Sequence, residues 1–145
     1  MTKSILLPVD LNHESSWNLA LPKAVALAKA NGAKLHVLTV IPDYGSSMVG
    51  SFFPEGFADN ALNETKAALD KLVADHIPVD VVATAHTVHG TIYKRILAAA
   101  DDNGCDLIVL GSHRPSMSDY LLGPNAARVV RHAKQSVYVV REELV

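Results

Sequence analysis

The chain has 145 residues, 49% of them apolar and 19% charged, which fits one domain with a buried core and excludes a disordered chain. Lysine plus arginine total 13 against 15 aspartates and glutamates, a net charge of −2 that argues against binding nucleic acid through phosphate neutralisation. The lone cysteine, Cys105, allows no internal disulfide and reads as a buried thiol in a reducing compartment, and no apolar run is long enough to span a membrane.

The first apolar run, Ser4 to Asp10, reads SILLPVD, a buried strand that ends in an acid. Pro8 stands near its C-terminal end, where a missing N–H is tolerated. Asp10 comes too early for a secretion signal, so the expected location is the cytoplasm. His13 to Ala30 is rich in alanine and leucine and stops at Asn31-Gly32, a helix whose internal Pro22 predicts a kink or a late start. Lys34 to Ile41 (KLHVLTVI) reads as a second buried strand. Pro42 to Gly56 is a long loop of glycine, serine and proline with Tyr44, Phe52 and Phe53 among them; these rings either lid a pocket or pack locally. From Phe57 to His76, Leu62, Thr65, Leu69, Leu72, Val73 and His76 share one helical face.

Val79 to Ala85 (VDVVATA) is the expected third strand. Thr91 to Asn103 follows as a helix with Ile92, Ile96, Ala99 and Ala100 inward, ended by Gly104. Asp106 to Leu110 is the fourth strand, and Pro124 to Lys134 a helix with Ala126, Val129, Val130 and Ala133 inward. Val137 to Arg141 is the fifth strand. Strands and helices that alternate in this way, without repeat or linker, predict a single α/β domain, a parallel sheet covered by helices on both faces.

Ligands of such sheets sit beyond the carboxyl ends of strands, beside the switch in strand order. Three strand ends qualify: Pro8-Val9-Asp10, Val40-Ile41 and Gly111-Ser112-His113-Arg114. Gly111 and Gly123 frame a polar segment between a strand and a helix, an arrangement that can present backbone N–H groups to phosphate. Asp10 reads either as a ligand for ribose or hydrated magnesium or as a cap of the following helix. Val40 and Ile41 offer backbone groups or ordinary core. Ser112 and His113 have no acid nearby, so no hydrolase triad, and no catalytic residue at all, is expected. His86 and His89 lack a further ligand in a suitable pattern, so no metal site is expected. Ser116 and Ser118 read as a solvated loop, and Arg128 and Arg131 as an exposed helix face.

Taken together, ILLPVD, KLHVLTV and DLIVLGSHRP…YLLGPNAARVVRHAKQSVYVVR resemble a universal stress protein. The resemblance runs through the whole chain and is strongest from Asp106 to Arg141; Ser-His-Arg-Pro and Leu-Leu-Gly-x-Asn-Ala are most similar to the small single-domain bacterial branch. It implies a five-stranded parallel sheet of the adenine-nucleotide alpha hydrolase type, in order 3-2-1-4-5. It also implies a homodimer that pairs its last strands antiparallel, here Val137, Tyr138, Val139 and Val140. The implied ligand is ATP, with or without Mg2+, and the implied role a stress-related sensor or regulator of another protein. Turnover would be at most slow ATP hydrolysis or autophosphorylation. Adenine would lie near Val9 and Val40, ribose near Asp10, and the phosphates near Gly111, His113, Arg114, Gly123 and Asn125, with Pro8, Ser112 and Pro124 also counted among the nucleotide-binding residues.

ATP-binding members carry glycine, two residues, glycine, nine residues, then glycine followed by serine or threonine; here Arg114 replaces the second glycine, eight residues separate it from Gly123, and Pro124 replaces the hydroxyl residue. Arginine forfeits close backbone approach but supplies a planar, permanently charged fork. Proline removes an N–H, and with the lost hydroxyl the deficit is roughly 1–3 kcal/mol for each contact, part of which Asn125 can recover. Pro124 and the shortened loop support the alternative, a dimeric scaffold of the same fold that binds no nucleotide, while Arg114 can replace the backbone cradle with a side-chain clamp. An enzyme that activates a second substrate with ATP would need a second site, for which the sequence offers no candidate.

Overall fold

The computed structural model describes residues 1–42, 57–112 and 124–141. Its strands are β1 (Ser4–Pro8), β2 (Lys34–Pro42), β3 (Ala83–Gly90), β4 (Leu107–Ser112) and β5 (Ser136–Arg141). Its helices are α1 (Ala20–Asn31), α2 (Phe57–His76), α3 (Ile92–Asp102) and α4 (Pro124–His132), with a 3-10 turn at Glu14–Ser16. All strand pairs are parallel and the order is β3-β2-β1-β4-β5, as expected, so the switch in strand order falls between β1 and β4.

Side chains alternate across a strand, and the sheet sorts them into two cores. Ile5, Leu7, Val37 and Val109 face α1 and α2, where Ala24, Ala28, Leu69 and Leu72 meet them. Leu6, Leu38, Ile108 and Leu110 face α3 and α4, where Ile96, Ala100 and Val129 meet them. Each fully buried Ile or Leu contributes about 1.5–3 kcal/mol relative to exposure. Central β1 is buried throughout, whereas edge strands β3 and β5 are buried only in part.

Three expectations are corrected or decided by packing. The chain resolves the Pro22 problem by a late start: a 3-10 turn covers Glu14–Ser16, and α1 begins at Ala20, which leaves Pro22 in the first turn where its missing N–H breaks no bond. The third strand is not Val79–Ala85 but Ala83–Gly90, because pairing with β2 runs from Leu35↔Ala83 to Pro42↔Gly90. Val81 instead donates its N–H to the Pro78 carbonyl in a turn, and Val79 and Val82 are exposed. On α4, Val129 is buried with Ala126 and Ala133 beside it, but Val130 is exposed. Gly32 and Gly104 both take the left-handed φ of 62° that ends helices α1 and α3, as expected.

Candidate functional site

Beyond the carboxyl ends of β1 and β2 opens a cleft of about 440 Å³. Pro8, Val9, Asp10, Thr39 and Val40 form its strand side, and Ala61, Glu64 and Thr65 of α2 its helix side. That volume is within the usual range for small-molecule pockets, about 300–1,000 Å³. The fold therefore brings five candidate residues, Pro8, Val9, Asp10, Val40 and Ile41, into one concavity.

The main chain explains the shape. The Val9 N–H donates to the Leu38 carbonyl at 2.8 Å, and the Thr39 hydroxyl donates to the Val9 carbonyl at 3.0 Å. Val9 is thus held by β2 and serves the cleft as a wall, its side chain buried in the α1–α2 core. Because β1 stops while β2 continues to Pro42, β2 overhangs it. Backbone groups on one edge of a strand recur every second residue, so the N–H and C=O of Val40 point the same way as the Leu38 carbonyl, past the end of β1.

Asp10 opens a tightly bonded turn. One carboxylate oxygen accepts the Asn12 N–H at 3.0 Å, and the other accepts the Nδ1–H of His13 at 2.9 Å. Its own N–H donates to the Ser16 hydroxyl at 2.9 Å, and its carbonyl accepts the His13 N–H at 3.0 Å. The completely buried Ser16 hydroxyl in turn reaches the Asp10 and His13 carbonyls at 3.1 and 2.7 Å. The carboxylate therefore caps an Asx-type turn and not a helix: the N-cap of the 3-10 turn is His13, whose side chain bonds Asp10 and makes no capping bond to the turn. With 14% of its side chain exposed, Asp10 is oriented by that turn and still borders the cleft.

Gly111 ends β4 against the same turn. A Cβ there would run into the Ser16 carbonyl oxygen and approach the Ala20 methyl at 3.6 Å. Its backbone φ is not positive, so the requirement for glycine is purely one of space. The backbone of Ser112 pairs with Arg141. Pro124 opens α4 and is exposed, and Asn125 follows it partly buried. His113, Arg114 and Gly123 lie outside the described residues, as do Tyr44, Phe52, Phe53, Ser116 and Ser118. Among the described lining residues the charged side chains are the acids Asp10 and Glu64. This part of the cleft suits a neutral, hydrogen-bonding group and offers a polyanion no cation.

Two further features lie away from the cleft. Cys105 is buried, its Sγ 3.6 Å from the Ser4 hydroxyl, and burial pushes its thiol pKa up, as the reading of an inert core cysteine requires. His36 of β2 and His86 of β3 are 2.9 Å apart, Nδ1 to Nε2. Burial lowers the pKa of both; at His36 the neighbouring His86 and Lys34 lower it further. His86 and His89 sit three apart on a strand and so face opposite sides of the sheet. The true partner of His86 was missed because only strand register reveals it.

The Universal stress protein family model matches residues 1–141. Universal stress protein G of Shigella flexneri is 33% identical over 144 residues, covering 97% of this chain and all of that one. Among solved structures, hypothetical protein MJ0577 superposes with a TM-score of 0.71 at 25% identity, over 99% of this chain and 98% of the other. A universal stress protein solved in complex with cAMP superposes with a TM-score of 0.61 at 25% identity, over 98% of each chain. Sequence and strand order agree over nearly the whole length, and the chain belongs to the universal stress protein family.

Proposed function

We propose that this protein binds ATP and acts as a stress-related sensor or regulator, not as a fast catalyst. The observation that carries this reading is the cleft of about 440 Å³ over the ends of β1 and β2, walled by Val9, Asp10 and Val40. The Val40 backbone N–H and C=O present a donor and an acceptor to the edge of a purine, and Asp10 offers carboxylate lone pairs to ribose hydroxyls. The family relative solved in complex with cAMP supports an adenine nucleotide as the ligand. The phosphates extend toward the switch between β1 and β4, to Gly111, Ser112, His113, Arg114, Gly123 and Asn125. Arg114 supplies positive charge that the described walls lack, with or without Mg2+ beside the phosphates.

The working form in this proposal is a homodimer in the cytoplasm, controlling a protein partner. β5 is a sheet edge that pairs with β4 on one side only among the described strands. An uncovered edge invites pairing, and Val137, Tyr138, Val139 and Val140 would meet their own copy there.

Pro124 favours a second reading, a scaffold of the same fold without a nucleotide. It opens α4 with no N–H to offer, at the end of the helix that should meet phosphate. Titration of MgATP, AMP and cAMP into nucleotide-stripped protein by calorimetry separates the two. Micromolar binding of an adenine nucleotide supports the first reading; no heat and no thermal shift at millimolar concentrations support the second.

A further inference from the structure

His36 and His86 come from adjacent strands, 50 residues apart in the chain, with ring centroids 5.1 Å apart and ring planes inclined by 31°. The register explains the meeting: Leu38 pairs with His86, and His36 lies two residues before Leu38 on the same face. Both rings are partly exposed on the side of the sheet that carries α3. A hollow of about 220 Å³ opens beside His86, bordered by Arg95, Asp102 and Asn103. Neither histidine lines the nucleotide cleft.

We propose that His36 and His86 form a two-imidazole site for a borderline divalent transition-metal cation of the Zn2+, Ni2+ and Cu2+ class. Imidazole nitrogen binds such ions at about 2.0–2.1 Å; two such bonds span about 2.9 Å at the right angle of tetragonal Ni2+ or Cu2+ and about 3.3 Å at the tetrahedral angle of Zn2+. The observed separation of Nδ1 and Nε2 is 2.9 Å, so the two nitrogens stand within a few tenths of an ångström of either span, and a pivot of the rings turns both toward one ion. One of the two nitrogens carries the shared proton; on metal binding that ring changes tautomer, its proton moving through water to its other nitrogen. No net proton is released and no electron is transferred. Imidazole suits these ions and not Mg2+ or Ca2+, which take oxygen ligands.

The surroundings set the strength. Among the described residues no group of three histidine, cysteine or acidic side chains can hold a metal, so water completes the shell. The hollow beside His86 provides room for it. Lys34, close to His36, and Arg95 oppose a dication, while Asp102 favours it. Two protein ligands in this balance of charge give micromolar binding, far weaker than a four-ligand structural site.

The test uses untagged, EDTA-stripped full-length protein titrated with NiCl2 and, separately, ZnCl2. Wild type binds one equivalent in the micromolar range, and His36→Gln and His86→Gln each weaken that site by about tenfold or more. His89→Gln, on the opposite face, leaves it unchanged. Independently of any variant, the His36 and His86 imidazole nitrogen resonances of wild type shift first as Zn2+ is added. The proposal is overturned if both variants retain wild-type affinity, if other histidines shift first, or if no binding is seen up to about 1 mM, a level too weak to count as a site.

Discussion

Gly111 lies directly beneath the carbonyl of Ser16, so the end of β4 and the turn after β1 meet backbone to backbone with no room for a side chain. This contact joins the two strands at the switch point and holds the Asp10 turn in place. A Gly111→Ala substitution forces that backbone apart and should destabilise the fold by about 1–3 kcal/mol, the usual range for overpacking. Gly32→Ala is the informative comparison: nothing lies within 4 Å of its Cβ, but its φ of 62° is left-handed, so only conformational strain of about 1 kcal/mol is expected. Urea unfolding of both variants checks the order.

Asp10→Asn tests the ribose contact. The amide oxygen can still accept the Asn12 N–H, so the turn survives, while the anionic partner of His13 is lost. Stability should fall by roughly 0.5–1.5 kcal/mol. ATP affinity should fall about tenfold, the loss of a charged hydrogen bond. With 2′,3′-dideoxy ATP the variant and wild type should bind alike; an equal loss with both nucleotides would remove Asp10 from the ribose.

Positions 123 and 124 test the phosphate end. Restoring a hydroxyl and an N–H with Pro124→Ser should tighten ATP binding by about tenfold, roughly one recovered hydrogen bond. Gly123→Val should abolish binding, because a branched side chain there would occupy phosphate space. Calorimetry with ATP and adenosine in parallel distinguishes the ends of the ligand, since adenosine affinity should change little in either variant.

The proposed dimer should break at the sheet edge. Tyr138 is 39% exposed on β5, so Tyr138→Glu should leave the fold intact. Antiparallel pairing about a two-fold axis would bring the two new carboxylates close together, and the dimer should dissociate at low salt and partly recover as salt is raised. Light scattering during size-exclusion chromatography reads the mass directly; a monomeric wild type would overturn the proposed assembly.

The Cys105 thiol should behave as core. Burial raises its pKa in the folded state, so folding opposes ionisation. That contribution to stability is complete below the unfolded thiol's pKa and disappears as pH rises through the higher folded value. Stability should therefore drop on the alkaline side, and the drop should be shallower in Cys105→Ala. Ellman's reagent should label native protein slowly and unfolded protein at once.

The central sheet was readable because its strands are short apolar runs with acids, glycines or prolines at their ends. Asp10, Val40 and Pro8 could be placed at one end of it from strand order alone. β3 was harder to read. Its pairing segment contains His86 and His89 and little continuous apolar sequence, while the more apolar Val79–Val82 stretch turns at Pro78 and exposes two valines. Register with β2, a non-local property, chose the actual strand. The same non-locality hid the His36–His86 contact. Gly111 was read as a phosphate residue from its motif; the packing reason, the Ser16 carbonyl, depends on a turn 95 residues earlier in the chain.

The overhang of β2 beyond β1 has an evolutionary corollary. The shelf is made mostly by the first half of the chain, through Val9, Asp10, Val40 and α2, with Ile92 of α3 beside them, whereas the glycine segment follows β4 in the second half of the sequence. The two halves meet at the Gly111–Ser16 backbone contact. Under the proposed nucleotide reading, substitutions that follow Gly111 change the hold on the charged tail of the ligand, while the shelf for ring and sugar is inherited with its own sequence intact.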